Sequence, residues 1–504
     1  MKGISIGIAF TDLSTGENYI HSIPNTNRDN QYCMDEISRF INFYDPSEII
    51  FQTKNFKENK ISNLPLILNG SILKTIWKLG LPNAFAWIAW TIATFADAIF
   101  LGYLGTEALA IIAIIFPFQM LMLMMAAGAI GGGVTSSVGR AIGSKDIKKA
   151  EVSCFHSILI ALGMASIFTI IFLLYSENIF KFMGATELIL IGAIDYAKVF
   201  FAFSIFFWLT HILASIIRGL GNTFIPSKAI VIGSFCQIIL SYVFTFGING
   251  SFKFGFLGPA IAIVICHIIM MAYLFNYLIF KQKFLRIKFH KFSNFIFLDI
   301  MKVGGLGLLN SITIALTVGV MTGYIGNFGA NALAGYGIGA RLELILTPII
   351  FGIGAALTAS VSINFGSKQF ARARKIAFTG GIVCFLIIGF IGFFVNLFPH
   401  FLYQYFSSNP DVIKYSLKYI FIVTPFYCLF GLGQAIYFSS QGTGKMIKPI
   451  LVGILRFLCV VILGYFAVFK NLTIDYVLYS VSFGLIITGL GMALCLLGKE
   501  WKGM

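Results

Sequence analysis

Along most of this chain, polar positions are confined to short clusters between long apolar runs. Runs of spanning length, ~20 residues for a ~30 Å hydrocarbon core, fall at residues 79–101, 108–134, 153–174, 188–214, 227–248, 256–280, 297–324, 332–360, 376–398, 412–438, 449–469 and 473–497. Six runs precede the basic stretch 281–291 and six follow it. An even number per half sets both halves in the membrane the same way up, with their symmetry axis along the membrane normal. The pattern predicts an all-α polytopic membrane protein of about twelve transmembrane helices. These form two six-helix bundles related by a pseudo-two-fold, residues 71–280 and 297–504, joined by a basic connector at 281–296. Residues 1–70 read as a small soluble α/β head.

The halves repeat in sequence as well as in pattern. Gly143-Ser144-Lys145 recurs as Gly366-Ser367-Lys368, and Gly219, Gly221, Pro226 recur as Gly442, Gly444, Pro449, each 223 positions on. A looser echo sets Gly102-Tyr103-Leu104-Gly105 against Gly323-Tyr324-Ile325-Gly326. Three echoes in one order mark the duplication of an apolar unit, which points to a transporter.

Composition and charge sharpen this picture. The chain is 58% hydrophobic and 11% charged with mean hydropathy +0.89, which excludes an ordinary soluble globule. Residues 1–70 carry eight acids and six bases, whereas the remainder carries twelve acids and thirty bases. Most of those bases sit in one set of loops, so that set is expected to face the cytoplasm of a plasma (inner) membrane protein with both termini inside. This distribution also speaks against nucleic acid as a partner. The connector alternates bases with Phe, Leu and Ile, as an interfacial segment does. The eight cysteines form no CxxC pair and read as apolar packing residues. The apolar stretch 4–10 is too short for a secretory signal.

The stretch from Leu81-Pro82 to Gly102, the loops Gly139-Arg140-Ala141-Ile142-Gly143 and Arg218-Gly219-Leu220-Gly221-Asn222, and the run from Ala334 to Glu343 together resemble the multidrug and toxin extrusion (MATE) family. The resemblance covers about residues 75–497. It implies two bundles around a central cavity and export of amphipathic or cationic compounds in exchange for protons or sodium ions. It implies no enzyme activity and no cofactor besides the coupling ion. The expected partners are small-molecule substrates and the bilayer, around a monomer.

Asp97 is the sharpest chemical candidate. It is the only acid of its span and lies five residues before Gly102, several ångströms into the apolar layer at ~1.5 Å rise per residue. An ionised carboxylate there needs water, a cation or hydrogen bonds, and protonation relieves that need. The resemblance places the family's coupling acid here; a bland alternative is an Asp that reaches the interface or caps a neighbouring helix. In the second half Val318 stands at the matching position, so the ion site is expected in the first half only.

Arg341 and Glu343 fall deep in the eighth span, two residues apart, and so point to different faces. They are either structural locks of the second bundle or a second ionisable site. Where many members of the family resemble Asn-x-x-x-Asp in the fifth span, this chain has Gln237 and Ser241; Ile314 replaces a glutamate of another branch. Both departures favour protons over a multi-oxygen sodium site. Trp208, Tyr242 and Tyr427 are candidates for a cavity or polar network that takes aromatic cations; interface or packing aromatics are the favoured alternative, given 54 Phe and 20 Tyr overall. The methionine run 119–125 offers a pliable wall or mere core filler. Gly131-Gly132-Gly133 reads as close helix packing or a hinge, since no P-loop Lys follows. Pro117, Pro348 and Pro425 are possible bending points.

In the head, residues 3–23 read strand, turn, strand, followed by an amphipathic helix at 34–44 and a strand at 48–52. About 50 residues resemble the start of a connector domain of MutS-type mismatch-repair proteins, implying a fused remnant or docking module without DNA-binding activity. Two rivals to an antiporter remain: a lipid-linked precursor flippase of the same superfamily, and a membrane-anchored interaction protein whose head carries the function.

Overall fold

The computed structural model describes residues 4–11, 18–25, 63–248, 251–282, 285–286, 288–403 and 409–502. It divides into two compact units, Met1–Lys60 and Ile61–Met504.

In the first unit, β1 (Ile4–Thr11) and β2 (Asn18–Asn25) pair antiparallel with Ile6 opposite Ile23 and Phe10 opposite Tyr19. The expected strand–turn–strand is thus present. The expected helix at 34–44 and strand at 48–52 lie outside the described residues.

The second unit begins earlier than the head boundary placed at residue 70. The short helix α1 (Leu64–Asn69) belongs to it: Ile67 packs with Leu79, Ala356 and Ile363. Asn364 Nδ2 and Arg372 Nε both donate to the carbonyl of Ile67 at 3.1 Å. The carbonyl run of a single turn has no partners of its own, so neighbouring side chains satisfy it.

Long apolar helices follow: α2 (Ile72–Leu104), α3 (Thr106–Gly143), α4 (Ile147–Phe182), α5 (Glu187–Ala202), α6 (Ser204–Gly219), α7 (Phe224–Phe246) and α8 (Gly255–Lys281). The second bundle holds α9 (Asn294–Gly326), α10 (Ala330–Gly366), α11 (Phe370–Leu397), α12 (Pro410–Thr443), α13 (Ile447–Phe469) and α14 (Ile474–Lys502). Eleven of these are long and apolar enough to cross a membrane, and α5 and α6, bent by 47° at their junction, make the twelfth span together. Each bundle has its own hydrophobic core. Large apolar side chains such as Phe95, Ile239, Leu386 and Phe390 are exposed, as suits a lipid-facing surface. In α3 the ladder widens to a π-helical stretch at Met124–Ile130, beyond Pro117.

The residues that betray the duplication also build the contact between its halves. Gly143 lies against the carbonyl of Ile363, and Gly366 against the carbonyl of Arg140. Arg140 and Ile363 are themselves 223 positions apart, so one contact is made twice around the pseudo-two-fold. A Cβ at either glycine would collide with backbone, which cannot move aside. The flanking hydrogen bonds repeat as well: Thr135 Oγ1 donates to Ser215 O at 2.9 Å, and Thr358 Oγ1 to Phe438 O at 2.7 Å.

This seam occupies one end of the unit, the end carrying Lys145, Lys368 and Lys445. Gly80 meets Ile353, Gly352 meets Ala84, and Gly133 meets Ile300 and Gly304, all in the basic halves of their helices. In the opposite halves, Gly102, Gly319, Gly326 and Gly337 have nothing within 4 Å of a would-be Cβ. The bundles therefore meet closely at the basic end.

Candidate ion and substrate sites

Asp97 lies on the inner face of α2 and is 5% exposed. Gln237 Nε2 of α7 donates to its Oδ2 at 2.7 Å. Ser241, one turn further on, stands within reach of the second carboxyl oxygen, though Ser241 Oγ and Asp97 Oδ1 fall short of well-formed hydrogen-bond geometry. Tyr196 of α5 is fully buried and close enough to interact electrostatically with the carboxyl; its hydroxyl also lacks a hydrogen-bond partner. Asp97, Gln237 and Ser241 thus come together as the family resemblance implied, with Tyr196 as an addition. Among the described residues no cluster of three or more His, Cys, Asp or Glu could hold a metal ion. The site offers one carboxyl, neutral neighbours and a vacant oxygen. Chemically it can take up and release a proton.

Glu343 of α10 is half-buried and turned into the second bundle, while Arg341 is exposed, so the two do point to different faces. Tyr419 of α12 donates its hydroxyl to Glu343 Oε1 at 3.2 Å, and the hydroxyls of Tyr419 and Tyr427 lie 3.2 Å apart. Tyr336 packs edge-on to Tyr419 at 5.7 Å. Arg456 of α13, buried like few charged groups here, interacts electrostatically with Glu343. Tyr427 therefore belongs to the polar network of the second bundle and not to an open cavity.

Two candidates are displaced from a cavity role. Trp208 is fully buried in the core of the first bundle, tilted against Phe168 at 5.9 Å. Tyr242 is 54% exposed and packs on Phe100 and Phe246 at the outer surface. One residue on from Ser241, it is rotated by roughly 100° around the helix, which turns it away from Asp97.

Several functional groups escape a reading of the sequence alone. Tyr196 and Tyr419 are 223 positions apart, so the repeat itself carried the signal. Arg140, counted among loop bases, instead bridges the bundles: its Nη2 donates to both carboxyl oxygens of Asp299 at 2.8 and 2.7 Å. Ser137 Oγ adds a 2.8 Å bond to Asp299, and Ser136 ties Arg140 to the carbonyl of Gln441. Gln441 Nε2 in turn donates to Gly128 O at 2.8 Å. The charge-assisted bonds from one guanidinium nitrogen to both carboxyl oxygens give this latch its strength.

Above the latch, a closed cavity of about 20 Å³ lies between the bundles, with Trp87, Thr135 and Arg218 on one wall and Phe351, Thr358 and Gln441 on the other.

Two duplicated six-span bundles, joined closely at their basic end, with ionisable groups set inside each, define a membrane transporter. The chain belongs to the MATE family of efflux transporters: the MatE family model matches residues 82–243 and 307–466, one match in each bundle. A probable multidrug resistance protein, YoeA, from Bacillus subtilis is 22% identical over 70% of this chain and 77% of its own length. A protein named FAD transporter from Shewanella oneidensis is 24% identical over 74% of this chain and 82% of its own. Among solved structures, a MOP superfamily transporter from Pyrococcus furiosus superposes with a TM-score of 0.81 at 23% identity, covering 90% of this chain and 99% of that one. These matches concern the membrane body. The head's resemblance to a mismatch-repair connector gains no support from them.

Proposed function

We propose that this protein is a secondary antiporter that exports amphipathic organic compounds, cationic drugs among them, in exchange for protons by alternating access. The observation that carries the reading is Asp97: a buried carboxyl held by one neutral amide, with its second oxygen unpartnered. Burial of an uncompensated charge is costly in this setting. Proton binding and release there changes what the surrounding helices must solvate, and so biases how they pack. The excess of Lys and Arg at the locked end supports placing that end, with both termini, in the cytoplasm of a plasma membrane. The described state is then closed on the cytoplasmic side. Sodium is the less favoured ion, because Gln237 and Ser241 replace a second carboxylate and a hard cation draws on several oxygens.

The test is efflux of ethidium from proteoliposomes under an imposed pH gradient. Wild-type protein is expected to move the dye and Asp97→Asn to leave it at the level of protein-free vesicles. Efflux that follows a sodium gradient and ignores pH would reassign the ion; full efflux by the variant would remove Asp97 from the mechanism.

A further inference from the structure

Arg218 is the penultimate residue of α6, just before the turn at Leu220-Gly221, at the inner edge of the seam. Unlike most bases of its loop set it is not solvated. It is 2% exposed, and its Nε and Nη2 make no hydrogen bond. Among the described residues the salt bridges go elsewhere, and Asp299, the acid of the seam, is occupied by Arg140. The last carbonyls of α6 offset only part of a buried positive charge. A guanidinium in a low-dielectric interior ordinarily has an anion beside it. Here the side chain instead lines the cavity between the bundles, facing Gln441, whose Oε1 is also buried and unpartnered.

The rest of the lining sets three aromatic rings, Trp87, Phe351 and Phe438, among small residues such as Thr135 and Thr358. Trp87 stands edge-on to Phe351 at 5.7 Å and Phe351 to Phe438 at 5.2 Å. At about 20 Å³ the closed cavity admits one water-sized group and no organic molecule. Its walls, however, come from opposite bundles, so parting the seam opens it into a cleft with the guanidinium at its floor. A ligand held there binds the open state and is squeezed out as the seam closes, which is the differential affinity a transporter requires.

We infer that Arg218 anchors a binding site for aromatic organic anions, which it grips by a carboxylate, sulfonate or phosphate while the ring lies on Trp87 and Phe351. Guanidinium forks pair such groups bidentately, and planar rings stack on aromatic walls. The inference rests on the proposed transport cycle for the direction of loading, and extends the cargo beyond cationic drugs. Binding itself does not depend on coupling.

Fluorescein, an aromatic dianion, is the probe. Its binding to purified full-length protein is read by fluorescence polarisation, beside ethidium as the cationic control. Wild type is expected to bind fluorescein, and Arg218→Gln to lose affinity by roughly tenfold or more, the worth of a hydrogen bond to a charged group. Ethidium binding is expected to stay the same. Should Arg218→Gln fail to fold, Gln441→Glu decides: a carboxylate set across the cavity neutralises Arg218 and is expected to abolish fluorescein binding with the melting temperature kept or raised. Unchanged fluorescein affinity in either folded variant would overturn the proposal. So would a wild type stabilised by inorganic phosphate yet blind to fluorescein, which would make Arg218 the holder of a structural ion. Fluorescein binding that depends on Arg218 in a protein that moves no dye under a pH gradient would uphold this site and sink the antiport reading instead.

Discussion

Asp97 and Glu343 are acids set into the two bundles of one duplicated chain, and their surroundings differ in kind. Tyr196 and Tyr419 are repeat mates, each fully buried and each beside an acid. In the first bundle that acid comes from α2; in the second it comes from α10, the second helix of its repeat. Asp97 has neutral company only, Gln237 and Ser241. Glu343 has two tyrosines and the counter-charge of Arg456, whose own repeat position is Gly233. Val318, aligned with Asp97, is apolar and exposed. The duplication thus kept the seam and the tyrosine and let the charges diverge. On the proposed reading, Asp97 exchanges its proton and Glu343 serves to hold the second bundle together.

That contrast can be broken at several points. The largest effect is expected at Asp97→Asn, which removes the titrating group and keeps the bond from Gln237: pH-driven efflux vanishes and folding persists, as checked by melting temperature. Next comes Gly366→Leu, which drives a side chain into the backbone of Arg140. It is expected to cost about 1–3 kcal/mol of the closed state, read as greater labelling of cysteines placed in the basic half of the seam. Glu343→Gln leaves Arg456 without its counter-charge and is expected to lower stability by about 1–3 kcal/mol, with the dependence of efflux on pH gradient unchanged. Removing Arg456 as well, by Arg456→Gln, is expected to restore part of that loss. The smallest effect belongs to Tyr242→Ala, within about 0.5 kcal/mol and with normal efflux, against a loss of about 1 kcal/mol for Tyr427→Phe, which forfeits a buried hydroxyl pair.

Spans and duplication were legible in the sequence because they obey fixed periods, ~20 residues per crossing, while the grouping of Gln237 and Ser241 with Asp97 was implied by the family resemblance. What stayed hidden depends on which helices meet. Nothing local distinguishes Arg140 from a solvated loop base, and only the packing of α3 on α9 brings it to Asp299. Arg218 likewise reads as a loop base until its 2% exposure is known. The choice between cavity and packing roles for Tyr242 stayed open because aromatic content says nothing about rotation around a helix axis. Arg456, a lone base in an apolar run, finds Glu343 only through the tertiary fold.

The central claim is that the proton on Asp97 biases the seam. Spin labels at Lys148 and Ala371, exposed repeat mates flanking the locked end, would report its opening by pulsed electron resonance. The account predicts that the distance distribution shifts between pH 5 and pH 8 in the otherwise wild-type protein and is the same at both pH values in Asp97→Asn. A variant that follows pH as the wild type does would contradict it.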